Sequence, residues 1–336
     1  MTSTEALEDL AREASARRRP LLARGNQRRS ASDLHDVIWR SIWEEPQVEP
    51  MAEDLLVTAS AGVTITHLNA VLQPYGQWIP YQSPDGIDDT LGAVLGMGLD
   101  SIWRAGYGSL PDRVVALKVW TPALGTFDLG AKVVKNVAGF NLLRLFLGSR
   151  ATFGIVLEAT LKVSPIPRAQ ARWVWTQTLD QTPQTLERLL RPGKSWAYVL
   201  GQGTPENYAV WAEWHGYPAM VEQLAHSLGP MTTTDLTPNA VGPAITGAIP
   251  RSHLPQWARE AGTRMLLEWQ TGWFWLPVDD GQEDAWIAKV RALGGIAVAT
   301  HGDRMHMKGV DASTSALVSR LKAQLDPQGI LGAWDE

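Results

Sequence analysis

Residues 24–29 near the N-terminus combine a flexible turn with positive charge. A short apolar run at 21–23 leads into the turn, which consists of Arg24, Gly25, Asn26, Gln27 and Arg28. Glycine and asparagine tolerate backbone angles that point successive N–H groups to one side, and such a concave row of N–H groups binds anions. The flanking arginines would strengthen that site. A solvated basic surface is the alternative interpretation of the same arginines.

Charge and cysteine content exclude several classes of function. The 336-residue chain contains 30 Lys and Arg, 35 Asp and Glu, and no cysteine. Its formal net charge of −5 argues against nucleic-acid binding as the main activity, because that activity needs a basic surface. Without cysteine the chain forms no disulfide, no Cys-ligated zinc or iron–sulfur site and no thiolate nucleophile. Any redox chemistry therefore needs an organic cofactor or a partner.

The apolar runs of the sequence are short. The first 20 residues contain early acidic residues and no run of signal-peptide length. No stretch reaches the roughly 18 apolar residues of a membrane span. We therefore expect a cytoplasmic protein without a direct membrane span.

The spacing of apolar residues predicts an α+β protein in which strands alternate with short helices. In the first half, helices are predicted over 5–16, 66–74 and 141–148, strands over 55–65, 77–81 and 154–164, and a hairpin over 113–128. Segment 33–43 fits a helix or a strand, and three glycines in 91–99 argue against an isolated helix there. In the second half, strands are predicted over 171–177, 195–201, 207–214 and 264–277, helices over 183–190, 218–228, 282–293 and 312–325, and a hairpin over 296–309. Segment 229–250 is rich in proline, glycine and threonine, and no helix or strand is predicted there.

Tryptophan is the dominant aromatic residue. The chain has 16 Trp against 6 Tyr and 5 Phe, and ten of these Trp lie between 173 and 286. We interpret most of them as fillers of a core or of an interface.

Three sequence blocks resemble a known family when they are read in order. They are VTASAGVTITHLNAVLQPYGQWIPYQSP at 57–84, LGAVLGMGL with GSLPDRVVALKVWTPALG at 91–125, and KVVKNVAGFNLLRLFLGSRATFGIVLEATLKVSPIPRA at 132–169. In order and spacing these blocks resemble the FAD-binding domain of the vanillyl-alcohol-oxidase and p-cresol-methylhydroxylase family, and within it the E subunits of glycolate oxidase. A weaker match is LVSRLKAQLDPQGILG near the C-terminus.

The resemblance implies which residues bind FAD. Residues 24–28 match the diphosphate loop of the family, and Gly92 matches a pair of glycines that pass the diphosphate. The further positions matched to cofactor-binding segments are Pro84, Gly108, Ser109, Asp112, Lys135, Asn136, Gly139, Gly148, Gly154 and Ile155. Because cysteine is absent, the resemblance implies non-covalent FAD unless a histidine is linked to it, and His67 is the one histidine in a matched block.

The chain also departs from the family pattern. Pro111 stands where the family has an arginine, and Phe140 and Asn141 replace a tyrosine and an aspartate. These changes remove a donor, a hydroxyl and a carboxylate. They would mean either an altered cofactor geometry or a subunit that has lost flavin and kept the fold.

The resemblance implies three parts of the chain. We expect a two-subdomain FAD-binding domain of the p-cresol-methylhydroxylase type at 1–168, an α+β cap domain at 169–310, and a C-terminal helix at 311–336 that returns to the FAD-binding domain.

The implied function is that of an FAD-binding subunit in a glycolate (2-hydroxy acid) oxidase or dehydrogenase complex. The implied partners are a second flavin subunit and an iron–sulfur subunit, through which the chain would associate with a membrane. A non-catalytic structural subunit with a flavin fold and a stand-alone FAD oxidoreductase for another small substrate are the alternatives.

The sequence does not assign a catalytic residue or a metal site. Oxidation of a 2-hydroxy acid needs a base for the hydroxyl proton and a cation for the carboxylate. Candidates for these roles in the second half are Arg251, His253, Arg259, Arg264, His301, Arg304 and His306. The spacing of His301 and His306 is not that of a metal site. We expect His67, His215 and His226 to be surface or locally hydrogen-bonded residues.

Overall fold

The computed structural model of the chain describes residues 8–9, 12, 47–131, 142–190, 196–228, 232–234, 238–242, 244–279, 281–300 and 312–331. Of the helix predicted over 5–16, the described residues 8, 9 and 12 are helical. Among the predictions that lie outside the described residues are those for 21–23, 33–43, Arg24, Gly25, Asn26, Gln27, Arg28, Lys135, Asn136, Gly139, His301, Arg304 and His306. Helices and two large sheets together confirm the predicted α+β class.

The first sheet is built from strands of the N-terminal half. The strands described in this half are β1 (Val48–Met51), β2 (Leu56–Ser60), β3 (Gln77–Trp78), β4 (Val114–Thr121), β5 (Gly125–Gly130), β6 (Ile155–Lys162) and β7 (Ser164–Pro165). Five of them form an antiparallel sheet in the order β1-β2-β6-β4-β5, and β3 pairs with β7 separately. The predicted hairpin is β4 and β5, and the predicted strand over 154–164 is β6, so both predictions are confirmed.

Four helices lie in the described ranges 47–131 and 142–168 of this half. They are α1 (Ile65–Leu72), α2 (Leu91–Met97), α3 (Arg104–Tyr107) and α4 (Leu143–Phe146). The N-cap of α1 is Thr64, so the helix begins before the predicted start at 66. Thr64 Oγ1 accepts from the His67 amide, while the Thr66 amide donates to Asp88. Helix α2 forms although it contains glycines, because its apolar residues are buried in the core of the first sheet.

The second sheet contains eight antiparallel strands. They are β8 (Ala169–Gln177), β9 (Tyr198–Gly203), β10 (Tyr208–Gly216), β11 (Thr232–Thr233), β12 (Ala244–Ala248), β13 (Leu266–Glu268), β14 (Trp273–Pro277) and β15 (Ile296–Ala299), in the order β11-β8-β10-β9-β13-β14-β12-β15. Strands β11 and β12 lie in the segment 229–250, for which no strand was predicted. Strand β15 pairs with β12, and the other arm of the hairpin predicted over 296–309 lies outside the described residues.

Helices cover one face of the second sheet. They are α5 (Thr182–Leu189), α6 (Pro218–Leu228), α7 (Leu254–Glu260) and α8 (Glu283–Ala292). The core between these helices and the sheet is rich in tryptophan. Trp173 and Trp196 meet edge to face at 5.9 Å between ring centroids, and Trp257 meets Phe274 at 5.3 Å. The tryptophans of this core therefore do not indicate an interface with another protein.

Helix α9 (Ala312–Leu325) is the last described helix, and it packs on the first sheet. Val318, Leu321 and Leu325 lie against the core of that sheet. Lys322 Nζ donates to the carbonyl of Thr152 at 3.0 Å and to the Asp326 carboxylate at 2.7 Å. The end of the described chain is therefore fixed to the first half.

Candidate functional site

The turn formed by Gly108 and Ser109 follows α3 and faces an open side of the molecule. Gly108 has φ +77° and ψ 178°, a conformation that is almost confined to glycine. A Cβ atom built on Gly108 would meet no described heavy atom within 4 Å. The Ser109 side chain makes no capping hydrogen bond in the turn that follows it. The Gly108 amide donates to the Arg104 carbonyl at 2.9 Å, so this turn offers a ligand close approach to the backbone and the Ser109 hydroxyl.

Helix α3 is held against β9 of the second sheet. The Gly106 amide donates to the Ala197 carbonyl at 3.2 Å. A Cβ atom at position 106 would lie 2.7 Å from the Ala197 Cα, so a side chain is excluded there. From the other side, Arg113 Nη2 donates to the Tyr107 carbonyl at 3.0 Å and Nη1 donates to Ser164 Oγ at 3.0 Å. The backbone before the Gly108 and Ser109 turn is thus fixed from both halves of the chain.

A buried hydrogen-bonded network links α3 to the second sheet through side chains. Tyr107 Oη lies 2.8 Å from His215 Nδ1, and His215 Nε2 lies 2.6 Å from Glu213 Oε1. The second carboxylate oxygen of Glu213 accepts from Arg172 Nε at 2.9 Å and from Nη2 at 2.7 Å. Side-chain exposure is 1% for Glu213, 4% for His215 and 16% for Arg172. The network is therefore shielded from water.

The charge states in the network follow from its environment. Burial raises the pKa of Glu213, but the hydrogen bond from His215 and the charge of Arg172 outweigh burial and hold that pKa below its ordinary value. Burial and then the negative charge of Glu213 raise the pKa of Tyr107 to about 12. Tyr107 therefore keeps its proton at neutral pH. An ionised Glu213 accepts from His215 Nε2–H, which leaves Nδ1 to accept from the Tyr107 hydroxyl.

Aromatic rings enclose His215 where the two halves of the chain meet. The ring of Trp78 lies 5.8 Å from the imidazole, Trp103 lies at 5.7 Å and Tyr107 at 5.5 Å between centroids. Trp78 belongs to β3 and Trp103 immediately precedes α3, whereas His215 belongs to β10. The rings therefore fill the boundary between the first half and the face of the second sheet that helices α5–α8 do not cover.

The loop after α4 packs on the C-terminal end of α2. The Gly148 amide donates to the Leu95 carbonyl at 2.8 Å, and the Arg150 amide donates to the Gly96 carbonyl at 2.7 Å. Two residues of the loop that are not glycine have positive φ, namely Arg150 at 52° and Ala151 at 62°. Such a conformation costs about 1–2 kcal/mol per residue. The loop is thus held by close backbone contacts against local strain.

A cavity of about 230 Å³ adjoins this loop between the two halves. Met97 and Arg150 line it from the first half, and Asp284, Ile287 and Arg291 line it from the second. Arg150 also donates to the backbone carbonyl of Ala299 in β15. The cavity therefore marks a second place, besides the surroundings of His215, where the two halves of the chain meet.

Several residues that the sequence assigns to cofactor binding have packing roles. A Cβ atom at Gly92 would lie 2.9 Å from the Ala61 Cβ, and the Gly92 amide donates to the Ala61 carbonyl at 2.7 Å. A Cβ atom at Gly154 would lie 2.8 Å from the Trp120 carbonyl oxygen. These contacts explain both glycines, and their contact with a cofactor stays a prediction.

The other described positions differ in exposure. Ile155 is 3% exposed in β6, and the buried Pro84 accepts a hydrogen bond at its carbonyl from the Ala240 amide at 2.8 Å. Asp112 forms an exposed ion pair with Arg144. Gly108, Ser109 and Asp112 therefore lie together at the surface after α3, and Gly148 lies in the separate loop that packs on α2.

The arginines considered for a substrate carboxylate make local contacts at the surface of the second half. Arg251 donates to the carbonyl of Gln270, Arg259 pairs with Asp180, and Arg264 donates to Asp279 at 3.2 Å. His253 is half-buried beside them, and 301–311 lies outside the described residues. In the described ranges no three His, Asp or Glu side chains are grouped so that they could hold a metal ion.

The histidine expectations are confirmed. His67 and His226 are exposed, and His215 is locally hydrogen-bonded.

Sequence reasoning did not identify the network around His215. A signal was present in β10, where Glu213 and His215 are two residues apart and therefore share one face of the strand. A second signal was Arg172, which lies directly opposite Glu213 in the pairing of β8 and β10. Charged residues on neighbouring apolar strands were the clue to a buried pair.

Within the part of the chain that the structure describes, no helix combines the length and apolar character that crossing a membrane requires.

Comparison with known proteins identifies the N-terminal domain. Residues 1–128 match the family model of the FAD binding domain. The glycolate oxidase subunit GlcE of Escherichia coli is 36% identical over 117 residues, which cover 34% of this chain and 33% of GlcE. The probable mitochondrial D-lactate dehydrogenase of Danio rerio is 31% identical over 151 residues, which cover 43% of this chain and 30% of that protein. Each match therefore spans about a third of the relative's length or less.

The fold extends further than the sequence match. A solved structure of alkyldihydroxyacetonephosphate synthase superposes with a TM-score of 0.60 at 14% identity, over 83% of this chain and 64% of that one. This likeness agrees with the predicted fold class. The FAD-binding match also agrees with the predicted cofactor, and the absence of cysteine excludes a cysteinyl link to it. The chain therefore carries an FAD-binding domain similar to that of the glycolate oxidase E subunit.

Proposed function

We propose that this chain is the FAD-binding subunit of a glycolate (2-hydroxy acid) oxidase or dehydrogenase complex and takes part in flavin-mediated electron transfer. The match of residues 1–128 to the FAD binding domain and the similarity to GlcE support this proposal. The D-lactate dehydrogenases among the relatives support oxidation of a 2-hydroxy acid as the reaction class.

The Gly108 and Ser109 turn is the structural observation that carries the proposal. FAD presents a diphosphate and a hydroxylated ribityl chain, which need close approach to backbone and hydrogen bonds from hydroxyl groups. Open space beside Gly108 fits the first need, and the Ser109 hydroxyl fits the second. We assign Gly108 and Ser109 to hold the cofactor, with Asp112 beside them, and we keep residues 24–28, Lys135, Asn136 and Gly139 as further proposed contacts.

The chemistry divides between the cofactor and the protein. When bound, FAD supplies the acceptor for a hydride and can pass the electrons onward. The residues of the chain bind and orient the cofactor, and the Trp78, Trp103 and Tyr107 rings keep water from the boundary behind the cofactor turn.

The chain needs partners for onward electron transfer. Without cysteine it cannot ligate an iron–sulfur cluster through thiolates. A second flavin subunit and an iron–sulfur subunit are therefore the partners that we propose, and they would also provide any association with a membrane.

We further propose the domain division at 1–168, 169–310 and 311–336. Separate hydrophobic cores under the two sheets support the first boundary. The contact of α9 with the first core supports the return of the C-terminal helix.

A structural subunit without bound flavin is the second candidate function. The observation that favours it is the engagement of the first amides of α2. The Leu91 amide donates to the Val63 carbonyl at 2.8 Å, and the Gly92 amide donates to Ala61. These donors are used inside the protein, so they do not serve a diphosphate.

Purification of the full chain followed by visible absorption spectroscopy separates the two candidates. We expect flavin absorption bands in the purified protein, or their appearance after FAD is added and the free cofactor is removed. A colourless protein that takes up no added FAD would refute the flavoprotein proposal. Oxidation of glycolate by the isolated chain with an artificial acceptor would instead indicate a stand-alone enzyme.

A further inference from the structure

We propose that Tyr107 and His215 are positioning residues for the flavin cofactor, because the hydrogen bond between them fixes the Gly108 and Ser109 turn against the second sheet. The inference rests on the proposed binding of FAD at that turn. Neither side chain is assigned a contact with the cofactor, and both act through the turn that Tyr107 immediately precedes.

The first step of the argument concerns how α3 is attached. Helix α3 has four residues, so its own backbone hydrogen bonds cannot hold it in place. One backbone bond, from Gly106 to Ala197, joins it to the residue before β9, and the Tyr107 hydroxyl reaches His215 on β10. Two strands of the second sheet therefore grip the residues that come directly before the turn.

The second step concerns the direction of the hydrogen bonds. Glu213 accepts from Arg172 through one oxygen and from His215 through the other. In the tautomer that donates from Nε2 to Glu213, Nδ1 is an acceptor that points at Tyr107. The buried ion pair thus fixes the tautomer and the ring orientation of His215, which in turn fix the Tyr107 ring.

The third step concerns what the turn does without this support. Gly108 has no side chain, and its conformation is one that glycine leaves readily. If the Tyr107 hydroxyl is removed, the turn loses a support on its N-terminal side and samples more conformations. FAD must then select the competent conformation, so its apparent affinity falls in proportion to the population of that conformation.

Tyr107→Phe is the principal test, because it removes one hydroxyl and leaves the ring packed against Trp78. We expect the Kd for FAD, measured by titration of flavin fluorescence, to rise by about 5- to 10-fold, the effect of one net hydrogen bond. The matched control is Thr246→Val, which removes another buried hydroxyl of the second sheet, one that donates to the Phe274 carbonyl at 2.9 Å. The control should leave the Kd unchanged.

Two substitutions of His215 divide its two hydrogen bonds. The amide of His215→Asn places an acceptor near the position of Nδ1, so it preserves the bond from Tyr107. The amide of His215→Gln places a donor near the position of Nε2, so it preserves the bond to Glu213. We expect His215→Asn to bind FAD more tightly than His215→Gln. This order of the Kd values should hold whichever variant has the larger free energy of unfolding in urea. A role in stability alone would not separate the two variants in this way.

The outcomes also distinguish this inference from the proposed function. Wild-type protein that binds no FAD overturns both. Wild-type protein that binds FAD, combined with an unchanged Kd in Tyr107→Phe or equal Kd values in His215→Asn and His215→Gln, overturns the positioning role and leaves FAD binding intact. A raised Kd in Tyr107→Phe with the predicted order of the histidine variants supports it.

Discussion

Replacement of Glu213 by glutamine tests whether the buried network stabilises the second sheet. Glu213→Gln preserves the shape of the side chain but removes the charge that pairs with Arg172. Arg172 is 16% exposed, so the variant leaves a largely buried guanidinium without its carboxylate. Breaking a buried pair by removing one partner costs about 3–5 kcal/mol. Because the amide oxygen of glutamine still accepts one hydrogen bond, we expect a loss of about 3 kcal/mol in the free energy of unfolding.

Equilibrium urea denaturation at a series of pH values is the assay. The pKa of Glu213 is lowered in the folded protein, so its carboxylate contributes stability above the ordinary pKa of 4.5. That contribution is lost as the pH falls through the lower folded-state pKa. The difference between wild type and Glu213→Gln should therefore be complete near neutral pH and shrink below pH 4.5.

Asp180→Asn is the control for this experiment. Asp180 pairs with Arg259, but its side chain is 80% exposed. An exposed pair adds little because water and salt screen it, so the control should leave the midpoint of denaturation unchanged. A Glu213→Gln variant as stable as Asp180→Asn, or a difference that does not change with pH, would show that the network does not stabilise the sheet.

Three further substitutions test other contacts by urea denaturation or hydrogen exchange. Gly106→Ala forces a Cβ atom to 2.7 Å from the Ala197 Cα and should destabilise the protein by about 1–3 kcal/mol in urea denaturation; no loss would mean that α3 is loosely packed. Asp326→Ala removes the carboxylate that accepts from Lys322 and should speed hydrogen exchange throughout α9, whereas unchanged exchange would mean that other contacts fix the helix. Ala151→Gly relieves a φ of 62° and should raise stability in urea denaturation by about 0.5–1 kcal/mol, and a loss would contradict the strain at this position.

Local patterns were sufficient to predict much of the fold. Strand β6 is rich in apolar and β-branched residues and is followed by prolines, and the hairpin of β4 and β5 turns at Gly125, so each is encoded by neighbouring residues. Strand β12 was missed because Gly247 lies inside it. A Cβ atom there would be 2.0 Å from the Ile296 carbonyl oxygen. Glycine is therefore needed at this position because a strand that is distant in sequence packs closely against it.

Helix α2 shows the same limit. Its glycines weaken an isolated helix, but packing on Ala61 and on the loop of Gly148 compensates. These contacts join segments that no local pattern relates.

The candidate site was predictable only where the family pattern is continuous in sequence. Gly108 and Ser109 were found in this way, and the structure supplies a conformational reason for Gly108. The network was not found, because Tyr107 and His215 are 108 residues apart and meet only when the second sheet packs on α3. Arg172, Glu213 and His215 also lie outside the matched blocks, and Tyr107, in α3, immediately precedes the matched residue Gly108.

The packing of α9 on the first sheet has a consequence for the order of folding. Lys322 and the Thr152 carbonyl that it contacts are 170 positions apart. Closing a flexible loop of that length costs about 5 kcal/mol of chain entropy, whereas a folded second sheet would shorten the loop. We therefore expect the first core to be completed late, after the second half has collapsed. During synthesis α9 leaves the ribosome after both sheets, so the apolar surface that it covers stays exposed until α9 itself emerges.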